Sequence, residues 1–237
     1  MSKKVLLFVW LSVVFVTLGF ILFSCGPKKP APKPEGEGLK ETAVVSEQAT
    51  TEEKEFVTTK RETAKAKEGV LLVADFDTGS KPNSVGGDFG SWNKDAQDFS
   101  QGCFDSFIPT IKHGDTGYSL QLMYDVASEN AAYNGFWMKL NGINISDYKE
   151  LSFWVKGDAE RGFTRVFKVE LKNTKNNVGT YYVTDVSPEW KEVVIPLNKF
   201  SGINDLSSMY EFTIVFEDRI ATKREGAIYI DDIAFVK

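Results

Sequence analysis

Apolar and polar residues alternate along most of the second half of the chain. Tyr118, Leu120, Leu122 and Tyr124 alternate with Ser119, Gln121, Met123 and Asp125. Phe136, Met138 and Leu140 flank Trp137 and Lys139, and Leu151, Phe153 and Val155 flank Ser152, Trp154 and Lys156. The same period recurs at Phe167, Val169 and Leu171 and at Phe212, Ile214 and Phe216, and a last apolar run leads from Ile228 to Phe235. Val70, Leu71, Leu72 and Val73 open the series. A period of two places alternate side chains on one face of a strand, so each segment predicts a strand with one face in a core. Asn141-Gly142, Gly157-Asp158, residues 173–177, Ser187-Pro188 and Glu225-Gly226 supply the turns between them. Many short strands with regular turns and no helical stretch predict an all-β fold, a sandwich or jelly roll. Trp154 and Trp190 are assigned to its core, Trp92 to a Gly-rich loop, and Tyr181 and Tyr182 to opposite faces of one strand.

The first quarter of the chain follows a different pattern. Lys3 and Lys4 precede an almost wholly apolar stretch over residues 5–23, which is a leader or an anchor rather than part of a fold. Its length alone suits either a cleaved signal peptide or an uncleaved span. Its end, Leu22-Phe23-Ser24-Cys25, resembles the bacterial lipobox, with an aliphatic residue, a variable one, a small one and then the lipidated Cys. The expectation is a signal peptide over residues 1–24 and a diacylglycerol- and palmitate-bearing Cys25, enough acyl chain for stable anchoring. Gly26 in place of Asp implies the outer membrane in bacteria that sort by that position. Residues 25–68 read as the lipidated Cys and a disordered linker. Four of the eight prolines lie between Pro27 and Pro34, Phe56 is the only aromatic, and too little apolar surface is present to offset ordering. The domain is therefore expected over residues 69–237, held off the membrane on a tether.

Charge and cysteine content narrow the picture. The chain has 237 residues and a net charge of −5, and no basic stripe remains for nucleic acid once Lys3 and Lys4 leave with the leader. Of the two cysteines, acylation of Cys25 would leave Cys103 without a partner, so Cys103 is read as a small buried apolar residue.

Five groups of residues occur together: Asp75-Phe76-Asp77; Gly86-Gly87 with Gly90-Ser91-Trp92; residues 151–158; residues 190–197; and Tyr229-Ile230-Asp231-Asp232-Ile233. This set resembles the galactose-binding-like jelly rolls, and within them family 11 carbohydrate-binding modules and complex-I-intermediate-associated domains. The resemblance implies a β-sandwich, glycan binding on a face or at loop tips, and a structural calcium. Asp77 stands at the acidic position of the family's early motif and Asp231 at that of its closing motif. With backbone carbonyls they would supply the oxygen ligands a hard cation takes. Asp75 and Asp232 are neighbours able to substitute.

A glycan site needs a few exposed aromatic rings beside polar groups. Trp92, Tyr133, Trp137 and Tyr182, with Lys168, Glu170 and Glu217, are the candidate ligand-binding residues. Catalysis has little support. His113 is the single His, and no nucleophile elbow, metal-binding His/Cys cluster or phosphate loop is present. A carboxylate pair for glycoside hydrolysis can meet only in space, so the sequence leaves that activity open. The reading is a non-catalytic, membrane-anchored carbohydrate-binding lipoprotein of the cell envelope, with polysaccharide as its partner. The alternative is an assembly lipoprotein whose sandwich face binds another protein.

Overall fold

The computed structural model describes residues 68–237. Cys25, the leader and all but the last residue of the expected linker lie outside the described residues. Eleven strands follow in order: β1 (Val70–Ala74), β2 (Phe89–Asn93), β3 (Gly102–Ile108), β4 (Ser119–Asp125), β5 (Tyr133–Ile143), β6 (Glu150–Gly157), β7 (Phe167–Asn173), β8 (Val178–Val183), β9 (Lys191–Pro196), β10 (Met209–Glu217) and β11 (Glu225–Val236). They form two sheets, both antiparallel. One sheet has the order β3-β4-β11-β6-β9, with β1 also paired to β11, and the other has the order β2-β5-β10-β7-β8. This is the all-β jelly-roll sandwich that the alternating pattern predicts.

The inward rows of the two sheets meet as one apolar layer. Phe136, Met138 and Leu140 of β5, Phe212, Ile214 and Phe216 of β10 and Phe167, Val169 and Leu171 of β7 pack against Leu120, Leu122, Leu151, Phe153, Val155, Ile228 and Ile230 from the other sheet. Phe153 meets Phe212 edge-on at 6.2 Å and Tyr124 stacks on Phe216 at 4.1 Å, so aromatic pairs tie one sheet to the other. Cys103 is buried in this layer, and burial pushes its thiol well above the usual range.

Three expectations change. Trp92 lies at an edge of the second sheet, on β2, and not in a loop. β2 pairs with β5, and Asn93 Oδ1 accepts the Cys103 amide at 2.7 Å while Asp105 Oδ1 accepts the Ser91 amide at 2.7 Å. These bonds stitch β2 to β3 across the edge of the sandwich, a long-range arrangement that local alternation does not reveal. Trp154 and Trp190 are not core residues. Trp154 points away from the interior on β6, half-buried, because the imidazole of His113 stacks on it at 3.8 Å, and Trp190 stands edge-on to the same imidazole at 6.0 Å. The segment between β3 and β4 thus covers part of the outer face of the first sheet.

Candidate functional site

The registers of the second sheet define what its outer face presents. One rung reads Gly90, Trp137, Thr213, Glu170 and Thr180 across β2, β5, β10, β7 and β8. The next reads Trp92, Gly135, Val215, Lys168 and Tyr182. On one side of these lie Lys139, Glu211, Lys172 and Val178, and on the other Tyr133 opposite Glu217. Every candidate ligand-binding residue, Trp92, Tyr133, Trp137, Lys168, Glu170, Tyr182 and Glu217, is therefore brought to one face.

The relief of this face comes from residue size. Gly90 and Gly135 put no side chain beside Trp137 and Trp92, and a Cβ at Gly90 would sit 3.7 Å from the Trp137 indole. Thr213 and Val215 form a low floor, only 2% and 3% exposed although they point outward. Trp92, Trp137, Lys139, Lys172, Glu211 and Thr213 line a hollow of about 310 Å³. Trp92 packs edge-on against Tyr133 at 5.9 Å, and Lys94 lies 5.4 Å from the Tyr133 ring. Lys139 lies 5.2 Å from the Trp137 ring centre and 4.0 Å from that of Tyr210. Such cation–π contacts hold the rings in place.

The charges form a continuous ladder. Lys139 pairs with Glu211 at 2.5 Å, Glu211 with Lys172 at 2.9 Å, Lys172 with Glu170 at 3.7 Å, and Lys168 with both Glu170 and Glu217 at 3.1 Å. Three lysines and three glutamates balance along it. Burial pushes Glu211 up, but Lys139 and Lys172 outweigh it and hold the carboxyl below its ordinary value. Two buried polar atoms on this face, Trp92 Nε1 and Glu217 Oε2, have no protein hydrogen-bond partner among the described residues. Gln101 Oε1 and Asn134 Oδ1 are in the same state away from this face, and since an unpaired buried polar atom costs about 1–3 kcal/mol, each of the four calls for a partner such as water or a ligand.

Sequence reasoning missed Glu211, Thr213, Gly90, Gly135 and Tyr210. For Glu211 and Thr213 the signal was present, since both alternate with inward Phe212 and Ile214. The glycines matter only through cross-strand neighbours and left no local signal.

Asp77 and Asp231 take other surroundings. A bulge in β11 between Asp231 and Ala234, with Asp232 at φ +50°, brings two successive carboxylates to His113 of the β3–β4 segment. Asp231 is buried, its Oδ2 accepting the His113 amide at 3.0 Å, while Nδ1 of His113 is 2.7 Å from Oδ2 of Asp232. Burial, and then the charges of Asp232 and Asp77, push Asp231 up to about 7 against its two backbone donors. Burial and the neighbouring Asp75 and Asp232 raise Asp77 as well. This surplus of hard anionic oxygen suits a cation such as calcium. Among the described residues no group of three or more His, Cys, Asp or Glu side chains is arranged around a metal position, so an ion held by Asp77 and Asp231 would draw its other ligands from backbone oxygens and water.

Known proteins agree with the fold. The family 11 carbohydrate-binding module of the cellulosomal cellulase Lic26A-Cel5E of Clostridium thermocellum is 18% identical, with a TM-score of 0.52, over 71% of this chain and 94% of that one. The family 11 module from Clostridium thermocellum in complex with a β-1,3-1,4-mixed-linked tetrasaccharide is likewise 18% identical, with a TM-score of 0.53, over 71% and 95% of the two chains. No curated protein matches the chain. The family model described as Carbohydrate binding domain 30 matches residues 82–237, from the loop before β2 to the C-terminus. That span takes in both sheets except β1, and the chain belongs to the Carbohydrate binding domain 30 family.

Proposed function

We propose that the domain binds a neutral polysaccharide chain across the outer face of the second sheet, without cleaving it. The observation that carries this reading is the convergence of Trp92, Trp137, Thr213 and Glu170, from four strands, around a low floor with balanced charge. Sugar rings present flat C–H faces that pack on indoles, and their hydroxyls pair with carboxylates and ammonium groups. A ladder with no net charge favours a neutral chain over an acidic one. The mixed-linked tetrasaccharide bound by the family 11 relative supports a β-glucan as the first ligand to test. The non-catalytic reading is supported by the state of the carboxylates. A general acid needs a raised pKa, whereas Glu211 is lowered, and the two raised carboxylates, Asp231 under His113 and Asp77 beyond the end of β1, lie away from this face.

The reading extends to the whole chain as a lipoprotein of the bacterial envelope, anchored in a membrane by acylated Cys25 and presenting the domain outward. A structural calcium at Asp77 and Asp231 belongs to the same proposal, supported by the pairing of β1 with β11, which sets the segment after β1 beside the bulge that carries Asp231.

The test is retardation of the full-length protein in a native gel containing mixed-linkage β-glucan, with xylan and galactomannan gels beside it. Wild type is expected to be retarded in at least one gel and Trp137→Ala much less so. Equal migration of wild type in all three and in a glycan-free gel would overturn the reading.

A further inference from the structure

We propose that the domain carries a second glycan site, on the first sheet, at the end of the sandwich farthest from Gly69. The register of the first sheet sets Phe104 beside Met123 and Met123 beside Ala227, with Gly102, Asp125 and Glu225 on the neighbouring rung. Phe104 points outward and is 63% exposed, an isolated phenyl ring standing over a floor of Met123 and buried Ala227. Around it lies a hollow of about 370 Å³ whose polar walls are Asp125, Glu225 and Arg161. That volume falls at the lower end of the roughly 300–1,000 Å³ of small-molecule sites, room for one or two sugar rings.

The hollow is built into the backbone. Gly102 adds no side chain beside the ring, where a Cβ would be in ordinary contact with Phe104 at 3.5 Å. Gly226 is required for closure, because a Cβ would lie 2.2 Å from the Gly162 carbonyl oxygen. Arg161 is positioned through its main chain. Its amide donates to Asp158 Oδ1 at 3.0 Å and its carbonyl accepts Lys223 Nζ at 2.8 Å. The guanidinium itself makes only a loose 3.8 Å pair with Asp158 and is largely exposed, so its remaining donors are free. Asp125 uses one oxygen on the Ala127 amide at 2.7 Å and keeps the other. One flat ring, two carboxylates and a guanidinium match the C–H face and vicinal hydroxyls of a neutral sugar. The two carboxylates against one guanidinium disfavour a sulfated or uronate chain.

The site lies on the outer side of the first sheet, on the outward row of Phe104, Met123 and Ala227, whereas Gly90, Trp92 and Trp137 belong to the second sheet. β11 runs from Glu225 at the hollow to Val236, which pairs with Val70 where the preceding chain joins. At about 3.3 Å per residue the two ends are on the order of 35 Å apart. Phe99, 93% exposed, lies in the β2–β3 loop at the hollow's end of the sandwich. That loop is held by Asp98, which accepts from Ser100, Gln101, Ser128 and Asn130.

The ligand class rests on the glycan-binding reading above, whereas the place of the site does not. The test follows amide signals of the ¹⁵N-labelled full-length protein during titration with a β-1,3-1,4-linked glucotetraose and, separately, xylotetraose and mannotetraose. Gly102 and Gly226 report the hollow, and Gly90 and Gly135 report the outer face of the second sheet. With at least one saccharide both pairs are expected to shift, with different dissociation constants. Phe104→Ala, and independently the milder Glu225→Gln, should weaken the hollow response at least ten-fold and leave the Gly90 and Gly135 response in place. Trp137→Ala should do the reverse. If Gly90 and Gly135 respond while Gly102 and Gly226 stay still, or if Trp137→Ala removes both responses together, the second site is overturned and the first stands. If only Gly102 and Gly226 respond, the second site stands and the face reading falls. No response at either pair to any of the three saccharides overturns both.

Discussion

Trp137 and Trp154 occupy equivalent places in their alternating strands, each flanked by inward apolar residues, yet they end in different company. Trp137 faces a hollow beside Lys139 and Thr213, and Trp154 lies beneath the His113 imidazole. Truncation should rank accordingly. Phe153→Ala removes a fully buried ring and should cost roughly 3–5 kcal/mol. Trp154→Ala should cost less than that, because its ring is only half-buried, and Trp137→Ala should move the melting temperature by only a few degrees while weakening glycan binding at least ten-fold. Thermal melts of the three variants check the order, and a melting temperature for Trp137→Ala as low as that of Phe153→Ala would show that its indole supports the fold rather than a ligand. Glu211 adds a pH dependence at the same scale. Its carboxyl sits below its ordinary value of 4.5 in the folded protein. The stability it contributes is therefore fully present above about pH 4.5 and is lost as pH falls through the lower folded value. Glu211→Gln should be less acid-sensitive than wild type between pH 5 and 3 in a melting series, and an unchanged slope would contradict the ladder.

At the scale of elements, the pairing of β5 with β10 carries the proposed face. Gly135 belongs to this pairing for steric reasons, since a Cβ would lie 1.9 Å from the Ile214 carbonyl oxygen of the adjacent strand. Gly135→Ala should destabilise the domain by about 1–3 kcal/mol as the strands move apart, and it should weaken glycan binding as well, because Trp92 and Trp137 sit on either side. Denaturant unfolding and the gel assay together test this, and a variant as stable as wild type would show that the backbone yields there at no cost. The edge strands explain what alternation did not reveal. β2, Phe-Gly-Ser-Trp-Asn, has no run of alternating apolar residues, and β3 carries Asp105 and Ser106 in its middle. Both become strands because a stronger neighbour offers its free edge, β5 to one and β4 to the other, and because Asn93 and Asp105 bind backbone amides across the gap. Those bonds join residues ten and fourteen positions apart that the pleat alone does not bring together.

For the whole molecule, the predictions concern anchoring and metal. If Cys25 is the acylated residue proposed, Cys25→Ser should abolish labelling of the full-length protein with radioactive palmitate in a bacterial host, because only that thiol follows a lipobox-like sequence. Labelling that persists in the variant would mean that lipid is attached elsewhere or not through this motif. Addition of calcium to chelator-treated protein should raise the melting temperature, since an ion bound only by the native state stabilises it by mass action. The Asp231→Ala variant should not respond. Equal melting of wild type with calcium and with chelator would remove the metal from the proposal.

What the sequence determined by itself was what local periodicity can carry: the strands with clean alternation, the inward set from Leu120 to Phe235 and the sandwich class; the likeness to carbohydrate-binding modules came separately, as a resemblance of its motifs. It also placed Trp137, Lys168 and Glu170 on outward positions, since the period of two assigns a side to every residue of a strand. Only the tertiary structure decided which outward positions become neighbours. Trp92, Trp137, Thr213 and Glu170 come from β2, β5, β10 and β7, and no local pattern reports a strand order in which β10 separates β5 from β7. The same holds for Trp154, whose cover arrives from His113 forty-one positions away, and for the hollow beside Phe104, which three strands and the β6–β7 loop enclose together. Alternation is a property of a few adjacent residues, whereas a binding face is a property of strand order and register, which are settled by burial of the whole apolar layer at once.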